Sequence, residues 1–171
     1  MAEFTPALNK MLRNEGGYID HCVAGDRGGQ TFAGISRRFH PTWPGWPLID
    51  SCDKENPNLT ALVYKFYRQQ FWQPIKADYL HHQIVAESIF DFAVNAGVRI
   101  AVKVAQIVVD TSPDGIVGPK TLEQLNSVDD EFFVAKYALA KIARYREIVR
   151  KDRSQEKFLL GWINRTLEGV G

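Results

Sequence analysis

Apolar residues recur three and four positions apart through most of the chain, which is the spacing of amphipathic helices. The stretches with this spacing are 4–14, 59–66, 85–96 and 132–149. In the first of them, Leu8, Met11 and Leu12 form the apolar face. A further helix is predicted to open at Pro119, because proline after a glycine suits a first helical position. The pattern predicts an all-α fold.

For two helices the sequence predicts more than their position. It predicts the burial of one and the first residues of the other. Residues 100–109 are apolar almost all round, which predicts a fully buried helix, although their β-branched content keeps a strand open. Ser127 with Asp130 resembles the capping box that begins a long helix. The apolar stripe predicted for that long helix is Phe132, Ala135, Leu139, Ile142 and Val149.

Glycine and proline divide the N-terminal half into less regular parts. Residues 16–34 are glycine-rich and polar, which predicts a loop or a short β-hairpin, and a brief helix is predicted at 35–39. Four prolines lie within 40–58 and predict that this segment holds no regular element. Trp43 and Trp46 in this segment are expected to cover the core rather than to stack on a ligand.

Composition adds limits on function. The 171 residues are 45% hydrophobic and 24% charged, which is typical of a globular chain. A net charge of +1 gives no strong field for nucleic acid. No apolar run reaches the roughly 18 residues of a membrane span, and the first residues lack the basic and apolar regions of a signal peptide. Cys22 and Cys52 lack the spacing of a zinc site; reduced thiols are favoured, and a disulfide stays open.

A carboxylate stands where the first helix is predicted to end. Glu15 follows residues 4–14 and precedes Gly16 and Gly17, so it would lie at the negative end of the helix dipole. That position, together with partial burial, would raise the pKa of Glu15 and keep it protonated near neutral pH. A protonated carboxyl group is what general acid catalysis needs.

A second carboxylate, Asp26, and a hydroxyl, Thr31, follow on the glycine-rich segment. Glycines allow a bulky ligand to approach the backbone closely, and the hydroxyl could hold a water molecule. An acid, a separate carboxylate and a water-holding hydroxyl suit glycoside hydrolysis. The residues alone leave an ordinary helix end followed by a turn equally open.

The same residues resemble the signature of glycoside hydrolase family 108, the bacterial and phage N-acetylmuramidases with a lysozyme-like fold. That signature reads Glu-Gly-Gly-Tyr and then Asp-x-Gly-Gly-x-Thr-x-x-Gly-Ile, and the chain carries it at 15–18 and 26–35. Residues 90–97 are similar to the phage-lysozyme helix that ends in Asn-x-Gly. Residues 114–121 resemble the Asp-Gly-x-x-Gly-Pro-x-Thr element of the family's peptidoglycan-binding region, and 161–165 also fit.

The resemblance implies a peptidoglycan hydrolase that cleaves the β-1,4 bond between N-acetylmuramic acid and N-acetylglucosamine. Residues 1–96 would form a lysozyme-like catalytic region, and 97–171 a helical peptidoglycan-binding-like region, packed with it as one compact unit. Glu15 carries over as the catalytic acid. Asp26 and Thr31 match, by their order, the phage-lysozyme residues that position the attacking water.

Four residues are expected to bind the substrate. Tyr18 could pack against a sugar ring, and Gln30 lies in the same motif. Asp91 and Asn95 share one helix face and could bind N-acetyl or hydroxyl groups, with internal hydrogen bonds to the 16–34 segment as the alternative. The expected partners are peptidoglycan glycan strands, with no nucleic acid, no membrane insertion, no metal and no organic cofactor, and the chain is expected to be a monomer.

Two other functions remain open. A lytic transglycosylase would use one glutamate, would not need Asp26 and would release an anhydro-muramic product. A non-catalytic peptidoglycan-binding or secretion-accessory protein would not need Glu15. The enzyme is expected to be made in the cytoplasm without a signal peptide and to reach the cell wall by holin- or secretion-dependent release. Both a phage endolysin and a bacterial secretion-associated enzyme fit that description.

Overall fold

The computed structural model describes residues 1–14, 20–21, 30–51 and 56–170, with the backbone alone at 14, 20 and 21. Within these ranges the fold is all-α and lysozyme-like, as predicted, with one small sheet. The α-helices are α1 Phe4–Asn14, α2 Trp46–Asp50, α3 Pro57–Tyr67, α4 Gln83–Ala96, α5 Val98–Val108, α6 Pro119–Ser127, α7 Asp130–Lys151 and α8 Glu156–Glu168. A π-helical turn spans Arg68–Trp72, and 3-10 turns span Ala77–Tyr79 and Arg153–Gln155.

The backbone forms two compact units. The smaller unit is Leu8–Gln70, and the larger unit joins Met1–Ala7 to Phe71–Gly171. The sequence predicts a boundary after residue 96, between a catalytic region and a peptidoglycan-binding-like region. That functional division stays a prediction. None of the helices in the described ranges is long and apolar enough to cross a membrane. Cys22 and Cys52 lie outside the described residues.

The sheet of the smaller unit confirms the predicted hairpin. β1 Asp20–His21, β2 Thr31–Phe32 and β3 Ile35–Ser36 are antiparallel neighbours in that order. The brief helix predicted at 35–39 is wrong, because β3 occupies its start and turns follow. Ala33 and Gly34 join β2 to β3 with φ of 47° and 78°. Positive φ at both positions is what the favoured two-residue hairpin turn requires.

Alanine is unusual at that turn, and a tertiary contact accounts for it. The hydroxyl of Tyr67 on α3 donates a buried hydrogen bond of 2.7 Å to the carbonyl oxygen of Ala33. Phe32 and Ile35, paired across the turn, are both buried. Packing and this hydrogen bond hold a backbone conformation that alanine alone disfavours.

The proline-rich segment is more regular than predicted. α2 lies within it, with Pro47 in the first turn, and α3 opens on Pro57. Proline is tolerated in the first turn of a helix, because the N–H that it lacks has no intrahelical acceptor there. The prediction that 40–58 holds no regular element is therefore wrong at its centre and at its end.

The larger unit is built around α4, α5 and α7, which pack against one another, with α8 packed on α7. Gly97, with φ of 88°, separates α4 from α5. The hydroxyl of Tyr137 on α7 donates to the carbonyl oxygen of Ala101 on α5, at 2.9 Å. The predicted helix at 100–109 is confirmed, but its complete burial is not, because Ile107 is 61% exposed.

α7 begins and packs differently from its prediction. Its N-cap is Asp129, whose carboxylate accepts from the backbone N–H of Phe132 at 2.8 Å, so the predicted Ser127–Asp130 capping box is wrong. The predicted stripe is also wrong in its first half, since Phe132, Ala135 and Leu139 are exposed, whereas Val149 is buried as predicted. The buried stripe is Phe133, Val134, Tyr137, Ala138, Lys141, Tyr145 and Val149.

Candidate functional site

The predicted site residues fall partly outside the part of the chain that the structure describes. Those outside are Glu15, Tyr18 and Asp26. Gln30 and Thr31 lie together at the start of β2 in the smaller unit, and Asp91 and Asn95 lie together on α4 in the larger unit.

Thr31 is held on its strand from both sides. It lies opposite His21 of β1 and Ser36 of β3, and its side chain is half-buried. A β-branched side chain has few rotamers on a strand. The backbone that carries this hydroxyl therefore has a fixed position at the centre of the sheet.

Gln30 is bound by Arg37 in two ways. The backbone N–H of Arg37 donates to the carbonyl oxygen of Gln30, and Arg37 Nη1 donates to Gln30 Oε1, both at 2.8 Å. Arg37 also donates to both carboxylate oxygens of Asp50, at 2.6 and 2.8 Å, and lies 5.2 Å from the centre of the Trp46 ring. These hydrogen bonds raise the pKa of Arg37 and lower that of Asp50. Arg37, which follows β3, thus links Gln30 at the start of β2 to Asp50 at the end of α2.

A surface pocket of about 360 Å³ lies beside this sheet, in the same unit. It is lined by Phe39, His40, Pro41, Thr42, Trp43, Pro44, Leu62, Lys65, Phe66, Gln69 and Gln70. Trp43 is only 7% exposed and Trp46 only 2%, which confirms their predicted packing role. A Cβ on Gly45 would lie 2.2 Å from the Trp43 ring, so that ring is confined. An aromatic wall with amides at its edge has the composition of a sugar-binding surface.

Asp91 and a buried lysine face each other between α4 and α7. Lys141 is 5% exposed, and its ammonium lies 5.4 Å from the ring centre of Phe92 and 5.0 Å from that of Tyr137. Burial lowers the pKa of Lys141, and the negative charge of Asp91 partly offsets that effect. Lys141 lies on the apolar side of a helix, and its burial was not foreseen because lysine is seldom buried.

Asn95 connects α4 to α8. Its Nδ2 donates to the backbone carbonyl of Asp91 at 2.8 Å, and its Oδ1 accepts a hydrogen bond from Arg165 Nη1. A guanidinium can only donate and a carbonyl can only accept, so the two ends of this amide are assigned without ambiguity. Asn95 is exposed and fixes the position of Arg165, seventy residues away in sequence.

The 114–121 motif is organised by a residue that sequence analysis missed. Gln106, 1% exposed, places Nε2 at 2.8 Å from Asp114 Oδ1, 3.0 Å from the carbonyl of Ile116 and 3.2 Å from Thr121 Oγ1. Its Oε1 accepts from the backbone N–H of Gly115 at 2.9 Å. A glutamine inside an apolar run was the sequence feature that could have identified it.

The fold and this motif define a class of protein. An all-α chain with a small antiparallel sheet after its first helix has the architecture of lysozyme-like glycosidases. Comparison with known families gives two adjoining matches. The family described as "Glycosyl hydrolase 108" matches residues 8–97, and the one described as "Predicted Peptidoglycan domain" matches residues 96–167. The chain therefore belongs to glycosyl hydrolase family 108.

One solved structure supports the same assignment. The chain is similar to SagA of Brucella abortus, with 28% sequence identity and a TM-score of 0.72, over 98% of this chain and 91% of that one. A comparison with curated proteins found no match. Together the family matches show that the chain is a glycoside hydrolase and that peptidoglycan is its substrate.

Proposed function

We propose that the enzyme is an N-acetylmuramidase that cleaves the β-1,4 bond between N-acetylmuramic acid and N-acetylglucosamine, with Glu15 as its general acid. The observation that carries this proposal is the Glu-Gly-Gly-Tyr motif at 15–18, which lies inside the family match at 8–97. α1 is described as far as Asn14, and Glu15 is the next residue in the sequence. A carboxyl group near the negative end of a helix dipole is favoured in its protonated form.

The reaction that we propose is a hydrolysis in one displacement. Glu15 gives its proton to the glycosidic oxygen as the bond to the anomeric carbon breaks. Asp26 and Thr31 hold a water molecule on the opposite face, and Asp26 takes its proton as the oxygen attacks. The central position of Thr31 in the sheet supports this role. An inverting geometry separates the two carboxyl groups by roughly 6.5 to 9.5 Å, whereas a retaining one brings them to about 5 to 5.5 Å.

The same proposal assigns contacts with the sugars to four residues. They are Tyr18, Gln30, Asp91 and Asn95. Asn95 is the best supported, because it is exposed on α4 and its amide orientation is fixed. The side-chain carbonyl of Gln30 accepts a hydrogen bond from Arg37, which fixes the orientation of this side chain.

The decisive experiment replaces Glu15 and identifies the product. Glu15→Gln should lower the rate of peptidoglycan digestion by about 10² to 10⁴ while leaving circular dichroism unchanged. Glu123→Gln, an exposed residue of α6, is the matched control and should keep full activity. Near-normal activity of Glu15→Gln would overturn the assignment.

Digestion in ¹⁸O-labelled water separates the hydrolase from its main alternative. Hydrolysis puts the label in the reducing end of the product, whereas a lytic transglycosylase releases an unlabelled anhydro-muramic sugar. Thr31→Val keeps the β-branched shape and removes the hydroxyl, so it should slow hydrolysis, and Thr31→Ser should restore part of the rate. Unlabelled anhydro products together with a fully active Asp26→Asn variant would show that water is not the nucleophile.

A further inference from the structure

A second pocket of about 370 Å³ lies on the larger unit, between the end of α4 and α8. It is lined by Asn95, Lys157, Phe158, Gly161, Trp162 and Arg165. All but Asn95 lie in the stretch 157–165 of α8, outside the catalytic family match at 8–97 and inside the match to the predicted peptidoglycan domain at 96–167. On a helix, positions 158, 161, 162 and 165 share one face.

The floor of this pocket is aromatic and continuous with the core. The rings of Phe158 and Trp162 lie 6.0 Å apart at 29°, and those of Trp162 and Tyr145 lie 5.1 Å apart at 31°. Tyr145 in turn meets Phe92 edge-on at 6.3 Å. Buried Tyr145 and Phe92 therefore support the outer rings, which are exposed at Phe158 and half-buried at Trp162. A supported aromatic surface costs little ordering free energy when a flat ligand binds.

Gly161 has no structural reason to be glycine. It lies inside α8, and among the residues that the structure describes no atom beyond the adjoining backbone of the helix lies within 4 Å of a Cβ built on it. Glycine destabilises a helix interior relative to alanine. Its presence beside Trp162 leaves the aromatic floor open, and it lets a bulky ligand approach the backbone.

The charged side chains that line the pocket, Lys157 and Arg165, are both cations. The ammonium of Lys157 lies 5.0 Å from the ring centre of Phe158, and Arg165 is held by the Oδ1 of Asn95. Cations at a defined position beside an aromatic surface complement a ligand that combines an apolar ring face with a negative group.

We propose that this pocket binds an N-acetylated sugar that bears a carboxylate, which the muramic acid units of peptidoglycan carry on the lactyl group or on the peptide attached to it. The sugar ring lies on Phe158 and Trp162, and the carboxylate lies between Lys157 and Arg165. The choice of sugar rests on the proposed function, whereas the pocket itself does not.

Tryptophan fluorescence offers a test without turnover. Trp162 is half-buried, while Trp43, Trp46 and Trp72 are 7%, 2% and 0% exposed, so a ligand in solution meets Trp162 first. The full chain is titrated with N-acetylmuramic acid, with N-acetylmuramyl dipeptide and with the neutral trimer of N-acetylglucosamine. Both acidic sugars should quench the emission and bind about tenfold more tightly than the trimer. The first carries its carboxylate on the lactyl group and the second on the peptide, so their difference identifies the source of the charge.

Variants at Gly161 show whether a negative charge or a larger side chain in the pocket prevents binding of the acidic sugars. Gly161→Glu should abolish quenching by the acidic sugars, while its isostere Gly161→Gln should weaken it less. Leu160→Glu adds the same charge one position away, at an exposed residue that does not line the pocket, and should bind as the parent chain does. Each variant replaces one helical residue, and an unchanged circular dichroism spectrum would show that the helical content persists.

Three results would overturn the proposal. They are equal binding of the neutral trimer, full binding by Gly161→Glu, and a pocket occupied by a second copy of this chain, seen as a dimer by sedimentation that Gly161→Glu disrupts. N-acetylmuramic acid and its dipeptide have no glycosidic bond to cleave. The trimer contains such bonds, so it is also titrated in the Glu15→Gln chain, where these outcomes cannot depend on catalysis by Glu15. The same titrations in the Glu15→Gln chain should give the same affinities, which keeps a failure of this site distinct from a failure of the proposed catalysis.

Discussion

Residues 106–121 and helix α8 both carry a stretch that resembles family motifs. The two stretches differ in whether their polar side chains bind groups inside the fold or lie at the surface. In the first, Gln106 is buried and the turn that begins at Asp114 folds around it. In α8, Thr166 is the buried residue, and Phe158 is exposed. The polar groups of the first stretch face the interior of the unit, whereas the α8 stretch lines a surface pocket.

The difference shows that matching a motif does not identify a binding site. The side-chain hydrogen bonds of Gln106 in the 114–121 turn are explained by the turn's own backbone and side chains, so the turn needs no ligand to account for it. In α8, by contrast, Gly161 has open space at its Cβ and Phe158 is exposed, and the packing of the helix accounts for neither. We therefore expect substitutions in the turn to lower stability and those in the α8 pocket to lower binding.

Gln106→Leu should have the largest effect on stability. Leucine matches the size of glutamine but leaves the Gly115 N–H and the oxygen of Asp114 without this partner, at a cost of about 2 to 4 kcal/mol in the free energy of unfolding. Urea denaturation measures this change. Gln73→Leu, at an exposed position, is the control and should change stability by less than about 0.5 kcal/mol. A loss of binding to the acidic sugars without a loss of stability would contradict this structural role.

Gly115→Ala should have the second largest effect on stability. Gly115 has φ of 84°, and a Cβ would lie 2.6 Å from Arg99 Cγ and 2.9 Å from the Arg99 carbonyl oxygen. Strain and crowding should destabilise the fold by about 1 to 3 kcal/mol in urea denaturation. Gly169→Ala, where the nearest atom would lie at 3.5 Å, is the control. Equal stabilities for the two variants would show that the turn relaxes freely around a side chain.

Local patterns predicted much of the helical fold. α1 has the predicted bounds, and α3, α4 and α6 lie where apolar spacing, Gly97 and Pro119 indicated. The signals that predict these helices are local, because each involves residues only a few positions apart in the sequence. A short hairpin was predicted within 16–34, but its continuation through Ala33 into β3 was not, because that turn depends on a contact with Tyr67, thirty-four residues away. The α7 stripe was misplaced because the helix has apolar residues on more than one face, and tertiary packing selects among them.

Some parts of the candidate site could be predicted from the sequence, and others could not. The Glu-Gly-Gly-Tyr motif gave the family from the sequence. The contact between Asn95 and Arg165 could not be foreseen, because seventy residues separate them and neither position is periodic. Gln106 could have been found, since a lone amide in an apolar helix needs partners and the turn that supplies them follows at once.

Gly161→Ala should have the opposite sign to Gly115→Ala. Both replace a glycine with alanine, but Gly161 lies inside a helix with open space at its Cβ. Alanine should raise the free energy of unfolding by about 0.5 to 1 kcal/mol, measured in the same urea experiment. Affinity for the acidic sugars should stay within a few-fold of the parent, because a methyl group covers little of the aromatic floor. Destabilisation by alanine would show that Gly161 has a packing role.

The smallest effect should be the pH dependence carried by Asp114. Hydrogen bonds from Gln106 and from the backbone N–H of Ile116 lower the pKa of Asp114 below its usual 3.8. A carboxyl group with a lowered folded pKa stabilises the protein above the unfolded pKa and loses that contribution as the pH falls through the folded value. Asp114→Asn keeps an acceptor oxygen and removes the charge. Its melting temperature should therefore lie below that of the parent chain at neutral pH, and the gap should narrow below pH 3.8.

A double-substitution cycle tests whether this pH dependence belongs to the turn. Because Gln106 is the largest cause of the lowered pKa of Asp114, Asp114→Asn should matter less in a Gln106→Leu background at neutral pH. The α8 variant Gly161→Ala serves as the reference background, where Asp114→Asn should have its full effect. A melting-temperature gap that stays constant from neutral pH to below 3.8, or that is equal in both backgrounds, would mean that the Asp114 charge does not stabilise the turn through Gln106.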